Sequence, residues 1–234
     1  MTRILAWHFL PEDRRLRYDD GREVKAGESL SVDVTSVLCE RGMHASPRII
    51  DALSFRTGPV LCRVRVSGDV VRGGDKVAGR TRECLWMVDA APALRMFAVD
   101  CRARQIAAYR RRGVRIDPRA DAAIAAAYGY LAGTVTLAEV RSAAAATHAA
   151  AAAAATHAAA CAATYATYAA ADAAAAADAA AADAAAAAAD AAAAAADRQQ
   201  ERAWQSKRLR YLVGRLRRGL PLLPADPMPA EVSP

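Results

Sequence analysis

One stretch constrains the fold of this chain more than any other: DAAAAADAAAADAAAAAADAAAAAAD, from Asp172 to Asp197. Alanine is the best helix former, so this stretch predicts an α-helix. It belongs to a longer segment, from Ala143 to Ala196, in which 41 of 54 residues are alanine. Because an alanine side chain buries little apolar area, and stabilisation scales with that area, we expect the main core to lie outside the segment.

The large apolar residues lie mostly before residue 116, which predicts one core in a domain of about 115 residues, a normal domain size. Alternating strands such as CRVRV, in which Arg63 and Arg65 point outward, are interspersed with two helices. This order predicts a small α+β domain at residues 1–116. We divide the rest into a short helix at 117–133, an alanine-rich helical rod at 134–197, a basic amphipathic helix end at 198–219 and a proline-rich, disordered tail at 220–234.

Ser46 and Thr136 are two of the positions at which the sequence predicts a helix start. Ser46 can cap a helix whose first position is Pro47, because proline suits the first turn. Thr136 and Glu139 form the pattern of a capping box, in which each side chain binds the backbone amide of the other residue. From Thr136 to about Arg218 the sequence contains no proline, so we expect one helix of ~80 residues, ~120 Å long.

The alanine-rich rod has three interpretations. It can be a solvated spacer, or a surface for self-association into a dimer or an antiparallel hairpin bundle. It can also be a membrane segment, since the 29 residues from Ala143 to Ala171 carry no formal charge and are long enough to span a bilayer. His148, His157 and the aspartates that follow are costly inside a membrane, so we expect no membrane span. None of these roles needs a catalytic residue.

The net charge of +7 is unevenly distributed along the chain. Residues 1–116 carry +8, residues 120–197 carry −6 and residues 198–218 carry +7. Such segregation indicates anionic partners for the ends or charge pairing between neighbouring chains. Only three of the 32 basic residues are lysine, and arginine prefers bidentate contacts with phosphate. A GC-rich coding sequence would produce the same bias.

The basic helix end at 198–219 is amphipathic. One face carries Leu209, Leu212, Val213 and Leu216, and arginine and lysine surround the other. This face can pack on a neighbouring helix, or the segment can contact an anionic partner such as a membrane surface or nucleic acid. The sequence shows no aromatic-interleaved platform for a single strand. A nucleic-acid-associated protein of this kind should lose affinity steeply with added salt.

The chain has five cysteines: Cys39, Cys62, Cys84, Cys101 and Cys161. Their number is odd and no pair has C-x-x-C spacing, which argues against a disulfide framework and against a zinc site. Cys39 and His44 have no further convincing ligands, so we expect no metal. The N-terminal sequence has no secretory pattern, so we expect a cytoplasmic protein with buried thiols.

The densest local signal for a site is LCERGMHASPRIIDAL, from Leu38 to Leu53. It places Gly42 and His44 in a turn between a strand and a helix, where binding residues often lie. The backbone amides at the helix start after Ser46 would bind an anion. We therefore predict an anion- or ligand-binding site at Gly42, His44 and Ser46. The alternative for His44 is a loop histidine that satisfies backbone groups.

The motifs WHFL, LCERGMHAS, DAL and CRVRV, followed by an alanine-rich tail, resemble an uncharacterised domain family of bacteriophage and bacterial proteins. The resemblance covers residues 3 to about 112. It implies a phage- or prophage-type accessory protein, a non-enzymatic binding module for an unknown protein partner with a helical spacer or oligomerisation rod. The family has no assigned catalytic residues, so the resemblance implies none here.

A second pattern, G-x-H-A-S-x-x-x-x-D-A-L leading into the strand VLCRVRV, is similar to the middle of ADP-ribosyltransferase-like folds. This resemblance implies a divergent transferase or an NAD-binding pseudoenzyme, the only case in which we expect a cofactor. It gives His8 the place of the first strand's histidine, puts His44 in the turn and makes Glu83 the catalytic glutamate. The three side chains would have to converge on one cleft. Whether the chain is an enzyme stays open at this point.

Overall fold

The computed structural model describes residues 2–17, 20–153, 178–195 and 197–224. Within these ranges the strands precede most of the helices, so the fold is α+β, as predicted. The strands are β1 (Arg3–Leu10), β2 (Ser29–Ser31), β3 (Met43–Ala45), β4 (Val60–Ser67), β5 (Val71–Arg72), β6 (Val77–Gly79) and β7 (Thr81–Asp89). The helices are α1 (Ile49–Ser54), α2 (Ala91–Arg111), α3 (Arg119–Leu131), α4 (Leu137–Ala153), α5 (Asp178–Ala195) and α6 (Arg198–Arg217).

The strands form two antiparallel sheets. The large sheet has the order β1-β4-β7-β2, and the small sheet has the order β3-β6-β5. Trp7 on β1 and Ser46, just after β3, exchange two backbone hydrogen bonds of 2.8 and 2.9 Å. The end of the small sheet is thereby tied to the edge of the large one.

Successive side chains of a strand point to opposite faces, so the large sheet contributes to two separate cores. One face packs against the small sheet, where Cys62 and Val64 of β4 meet Met43 and Val77. The other face packs against helices, where Phe9 and Leu61 meet α1, α2, α5 and α6. A third cluster joins α2 to α3 and α4 through Val99, Ile124 and Val140.

The alanine-rich helix α5 is part of the main core. Ala181, Ala185, Ala188, Ala189 and Ala192 are buried in the cluster that contains α2 and α6. The small side chains let the helix backbones approach closely. The core that we expected within residues 1–116 is therefore completed by residues 178–217. Residues 154–177 of the alanine-rich segment, with His157 and Cys161, lie outside the described residues.

The uninterrupted helix expected up to about Arg218 is wrong, because the chain reverses direction at Asp197. Asp197 has an extended backbone (φ −64°, ψ 114°), and its carboxylate accepts a 2.8 Å hydrogen bond from the Gln200 backbone amide. Gln205 Nε2 then donates to the carbonyl of Ala189 at 2.7 Å, which places α6 alongside α5. α5 and α6 thus form a helical hairpin.

The amphipathic end of the chain packs on this core. Leu209, Leu212 and Val213 of α6 are almost completely buried in the main core cluster. This confirms the expectation that the segment packs on a neighbouring helix. No helix within the described ranges combines the length and hydropathy that a membrane crossing needs.

Two predicted helix starts have different outcomes. The capping box is confirmed, because the Thr136 amide donates to Glu139 Oε2 at 2.7 Å and the Glu139 amide donates to Thr136 Oγ1 at 3.3 Å. The predicted cap at Ser46 is wrong, since α1 begins at Ile49 with an extended Arg48 before it. The Ser46 backbone is instead held by its two hydrogen bonds to Trp7.

Candidate functional site

His8, the first residue of the transferase-like set, lies on the face of β1 that packs against the small sheet. It stands opposite Cys62 in the register of β1 and β4. Burial lowers the His8 pKa well below its usual value, and the positive charges of Arg82 and of protonated His44 lower it further. His8 is therefore neutral at neutral pH, and the structure places it near His44.

His44 supports the backbone of the turn before it. Its Nε2 accepts a 3.0 Å hydrogen bond from the Cys39 backbone amide, and its own carbonyl accepts a 2.6 Å hydrogen bond from Arg82 Nη1. Burial lowers the His44 pKa, which the carbonyls of Val37 and Gly42 partly oppose. These contacts support the alternative in which His44 satisfies backbone groups, but His44 lies on strand β3 and not in the predicted turn.

The predicted anion site lacks the backbone amides it requires. The Ser46 amide donates to the Trp7 carbonyl at 2.9 Å, and α1 begins three residues later and spans only six residues. Gly42 has a left-handed φ of 109°, and a Cβ there would lie 3.2 Å from Ser36 Oγ and 3.3 Å from the Gly79 carbonyl. The glycine is thus explained by a close approach of chain segments.

Glu83 lies on the opposite face of the large sheet from His8. Arg82, its neighbour on β7, is buried on the side that faces the small sheet. Glu83 therefore points the other way, and its carboxylate binds Arg65 Nη1 at 2.6 Å. The structure does not bring His8, His44 and Glu83 to one cleft. Among the described residues no group of three potential ligands could hold a metal ion.

The face that carries Glu83 extends beyond the helices that cover it. The helix-covered end holds Phe9, Leu61 and Val88 side by side on β1, β4 and β7. Three further rows follow along the same strands: Trp7, Arg63 and Trp86; then Leu5, Arg65 and Glu83; then Arg3, Ser67 and Thr81. Leu5 is 50 % exposed and belongs to no core cluster. We call the last two rows the open sheet face.

The row of Trp7, Arg63 and Trp86, which borders the helix-covered end of the sheet, forms an aromatic and basic cluster with α6. The rings of Trp7 and Trp86 meet edge to face, with centroids 5.8 Å apart and planes 79° apart. The guanidinium of Arg63 lies 4.4 Å from the Trp7 ring centroid, and that of Arg217 lies 3.8 Å from the Trp86 ring centroid. Both tryptophans are half-buried. We call this group, together with Arg210 of α6, the Trp/Arg cluster.

The Trp/Arg cluster carries positive charge that no carboxylate of the described residues neutralises. Within the described part of the chain, Arg63, Arg210 and Arg217 form no salt bridge, and their polar contacts are to backbone carbonyls or aromatic rings. Burial and the nearby charge of Arg210 both lower the Arg63 pKa. Two other arginines on the helices are neutralised by buried acids, as in the pairs Arg104–Glu201 and Arg208–Asp100.

This cluster could not be predicted from local sequence patterns, because its residues come from three strands and a distant helix. The outward direction of Arg63 was visible in the alternation of CRVRV. The alignment of Trp7, Arg63 and Trp86 depends on strand register, which no local pattern specifies. The chain therefore has an aromatic and basic surface that its linear sequence does not show.

Comparison with known proteins identifies no relative for this arrangement. No protein-family model matches the chain, and neither a curated protein nor a solved structure matches it. The resemblances to a bacteriophage domain family and to ADP-ribosyltransferase-like folds both stay predictions.

Proposed function

We propose that this chain is a non-enzymatic binding module whose partner is a nucleic acid, held at the Trp/Arg cluster and the open sheet face. The observation that carries the proposal is a group of three arginines that have no carboxylate partner among the described residues, with two of them lying over half-buried tryptophan rings. A cluster of like charges is unfavourable in the free protein, and an anionic partner would relieve it.

The chemistry of the cluster favours nucleic acid over other anionic partners. Guanidinium groups bind phosphate with two parallel hydrogen bonds, and their planes also stack on bases. A lipid surface would need an apolar helix face beside the basic residues. In α6 that face is used inside the chain, since Leu209, Leu212 and Val213 are buried.

The transferase-like alternative receives no support from the geometry. It needs Glu83 in one cleft with His8 and His44, whereas Glu83 is bound to Arg65 on the other face of the sheet. The binding proposal needs no catalytic residue.

The proposal predicts salt-dependent binding that depends on three named arginines. The affinity of the full chain for a fluorescein-labelled oligonucleotide should fall steeply between 50 and 200 mM salt, because binding releases counterions from the phosphates. The triple variant R63Q/R210Q/R217Q should bind about tenfold more weakly or worse, and its log–log salt slope should shrink by about 2. Fluorescence anisotropy measures both quantities.

The matched control removes the same charge from arginines that already have carboxylate partners. Arg17, Arg110 and Arg119 are exposed residues near Asp13, Asp121 and Asp117. The variant R17Q/R110Q/R119Q should retain most of the affinity and most of the salt slope. Equal losses in the two variants would show that only net charge matters, and would overturn the proposed site.

A further inference from the structure

We infer that the partner is single-stranded nucleic acid, with bases stacked on the Trp/Arg cluster and the strand running across the open sheet face. This inference rests on the proposed function and specifies its ligand. The shape of the surface and the side chains along its rows of residues support it.

The shape of the surface favours a single strand over a duplex. Strands lie about 4.8 Å apart, so the four-stranded sheet is about 14 Å wide between its outer strands. The major groove of DNA is about 12 Å wide and admits a helix or a two-stranded ribbon. A face of four strands can therefore meet a duplex only at its backbone, whereas the bases of a single strand can lie flat on it.

The Trp/Arg cluster offers stacking planes at one end of the surface. Arg63 covers one side of the Trp7 ring and Arg217 covers one side of the Trp86 ring. The outer face of each guanidinium is then the next plane on which a base can stack, as bases do on arginine and aromatic side chains. The same guanidinium groups can bind the phosphates beside those bases.

The rows beyond the cluster suit a base-contacting surface. Leu5 presents half of its area to solvent and offers an apolar contact to a base. Ser67 and Thr81 follow it toward the far end of the sheet and supply hydroxyl groups. Glu83 is the single acid on these rows, and its pairing with Arg65 at 2.6 Å reduces its repulsion of phosphate.

The test compares three polyanions that are all strongly negative but differ in structure: a 15-nucleotide single-stranded DNA of mixed sequence, the corresponding 15-base-pair duplex and heparin. It uses the full chain with the W204F substitution, so that Trp7 and Trp86 give the fluorescence. The single strand should quench this fluorescence and bind about tenfold more tightly than the duplex, as expected for base–aromatic stacking.

A pair of surface variants locates the strand. Leu5→Asp puts a negative charge on the open sheet face, and we expect it to weaken single-strand binding about tenfold through repulsion of phosphate. Phe55→Asp makes the same change at another exposed apolar residue, at the end of α1, and should leave the affinity within about twofold. Circular dichroism confirms that each variant is folded.

The outcomes distinguish failure of the proposed nucleic-acid binding from failure of the single-strand inference. Absence of salt-sensitive binding to all three polyanions would overturn the proposed function itself. Salt-sensitive binding with equal affinity for the single strand, the duplex and heparin, and without tryptophan quenching, would leave that function standing and overturn the single-strand inference. A neutral effect of Leu5→Asp would overturn the assignment of the open sheet face.

Discussion

The ion pair between Arg104 on α2 and Glu201 on α6 shows how single residues hold the distant parts of the chain together. Arg104 Nη2 lies 2.7 Å from Glu201 Oε2, and Glu201 is only 2 % exposed. The Arg104 guanidinium also stacks on Trp204 at 4.0 Å. Among the described residues, Arg104 is the one cation that forms an ion pair with Glu201, and Gln205 Nε2 donates a weaker hydrogen bond at 3.3 Å.

Replacing Arg104 should therefore be strongly destabilising. We expect R104M to lower the free energy of unfolding by about 3–5 kcal/mol, because it leaves a buried carboxylate without its cation. The double variant R104M/E201L should recover most of that loss, since an apolar pair has no desolvation cost. R110M breaks the exposed Arg110–Asp121 pair and should cost less than about 1 kcal/mol. Urea denaturation measures all three, and a full-size loss in the double variant would contradict this reasoning.

At the scale of elements, α5 is held by close packing of alanine rather than by large side chains. Ala188 is completely buried in the main core cluster, whereas its neighbour Ala187 is exposed. At the surface of the same helix, Asp183 pairs with Arg56 and Asp190 pairs with Arg202. Asp183 and Asp190 thus stay in solvent while the buried alanines of α5 face the core.

This arrangement predicts that two adjacent substitutions change stability by very different amounts. Ala188→Leu should destabilise the protein by about 1–3 kcal/mol, because three extra carbons do not fit between closely packed helices. Ala187→Leu should change stability by less than about 0.5 kcal/mol, since leucine is also a good helix former and the site is exposed. Thermal or urea denaturation measures the difference. Equal effects would mean that α5 does not pack on the core through this face.

The elements also show which parts of the fold a sequence can predict. The capping box at Thr136 and Glu139 and the left-handed Gly113 after α2 are local signals, and both are found in the structure. The docking of α5 was not predictable, because its aspartates mark the solvent side but its alanines do not specify which helices cover the other side. The row of Trp7, Arg63 and Trp86 was hidden for a related reason, as it depends on pairing between distant strands.

At the scale of the whole molecule, His8 on β1 and His44 on β3 make stability depend on pH. Burial lowers the pKa of both His8 and His44 in the folded protein. Below about pH 6.5, the unfolded chain therefore binds more protons than the folded chain. The linkage relation then requires that the free energy of unfolding falls as the pH falls through this range.

The expected slope is up to about 1.4 kcal/mol per pH unit for each such histidine below its unfolded pKa. His8→Gln should flatten the fall between pH 6.5 and 5, as measured by urea denaturation at half-unit steps. Asp13, Asp20 and Glu139 have lowered pKa values, so their stabilisation is lost below about pH 4. The titration of these carboxyl groups therefore does not contribute to the fall in stability between pH 6.5 and 5. An unchanged slope in the variant would contradict the assignment to His8.

The helical hairpin of α5 and α6 has a consequence for how the chain folds during its synthesis on the ribosome. The sheet and α2 are synthesised first, but part of the core cluster around α2 comes from residues 178–217, which are synthesised last. While the intervening residues emerge, Leu94 and Phe97 of α2 lack the helices that bury them in the finished protein. A nascent chain in this condition is exposed to aggregation. Chaperones that shield apolar surface should therefore engage ribosome-bound chains stalled near residue 150 and release those that have extruded α6.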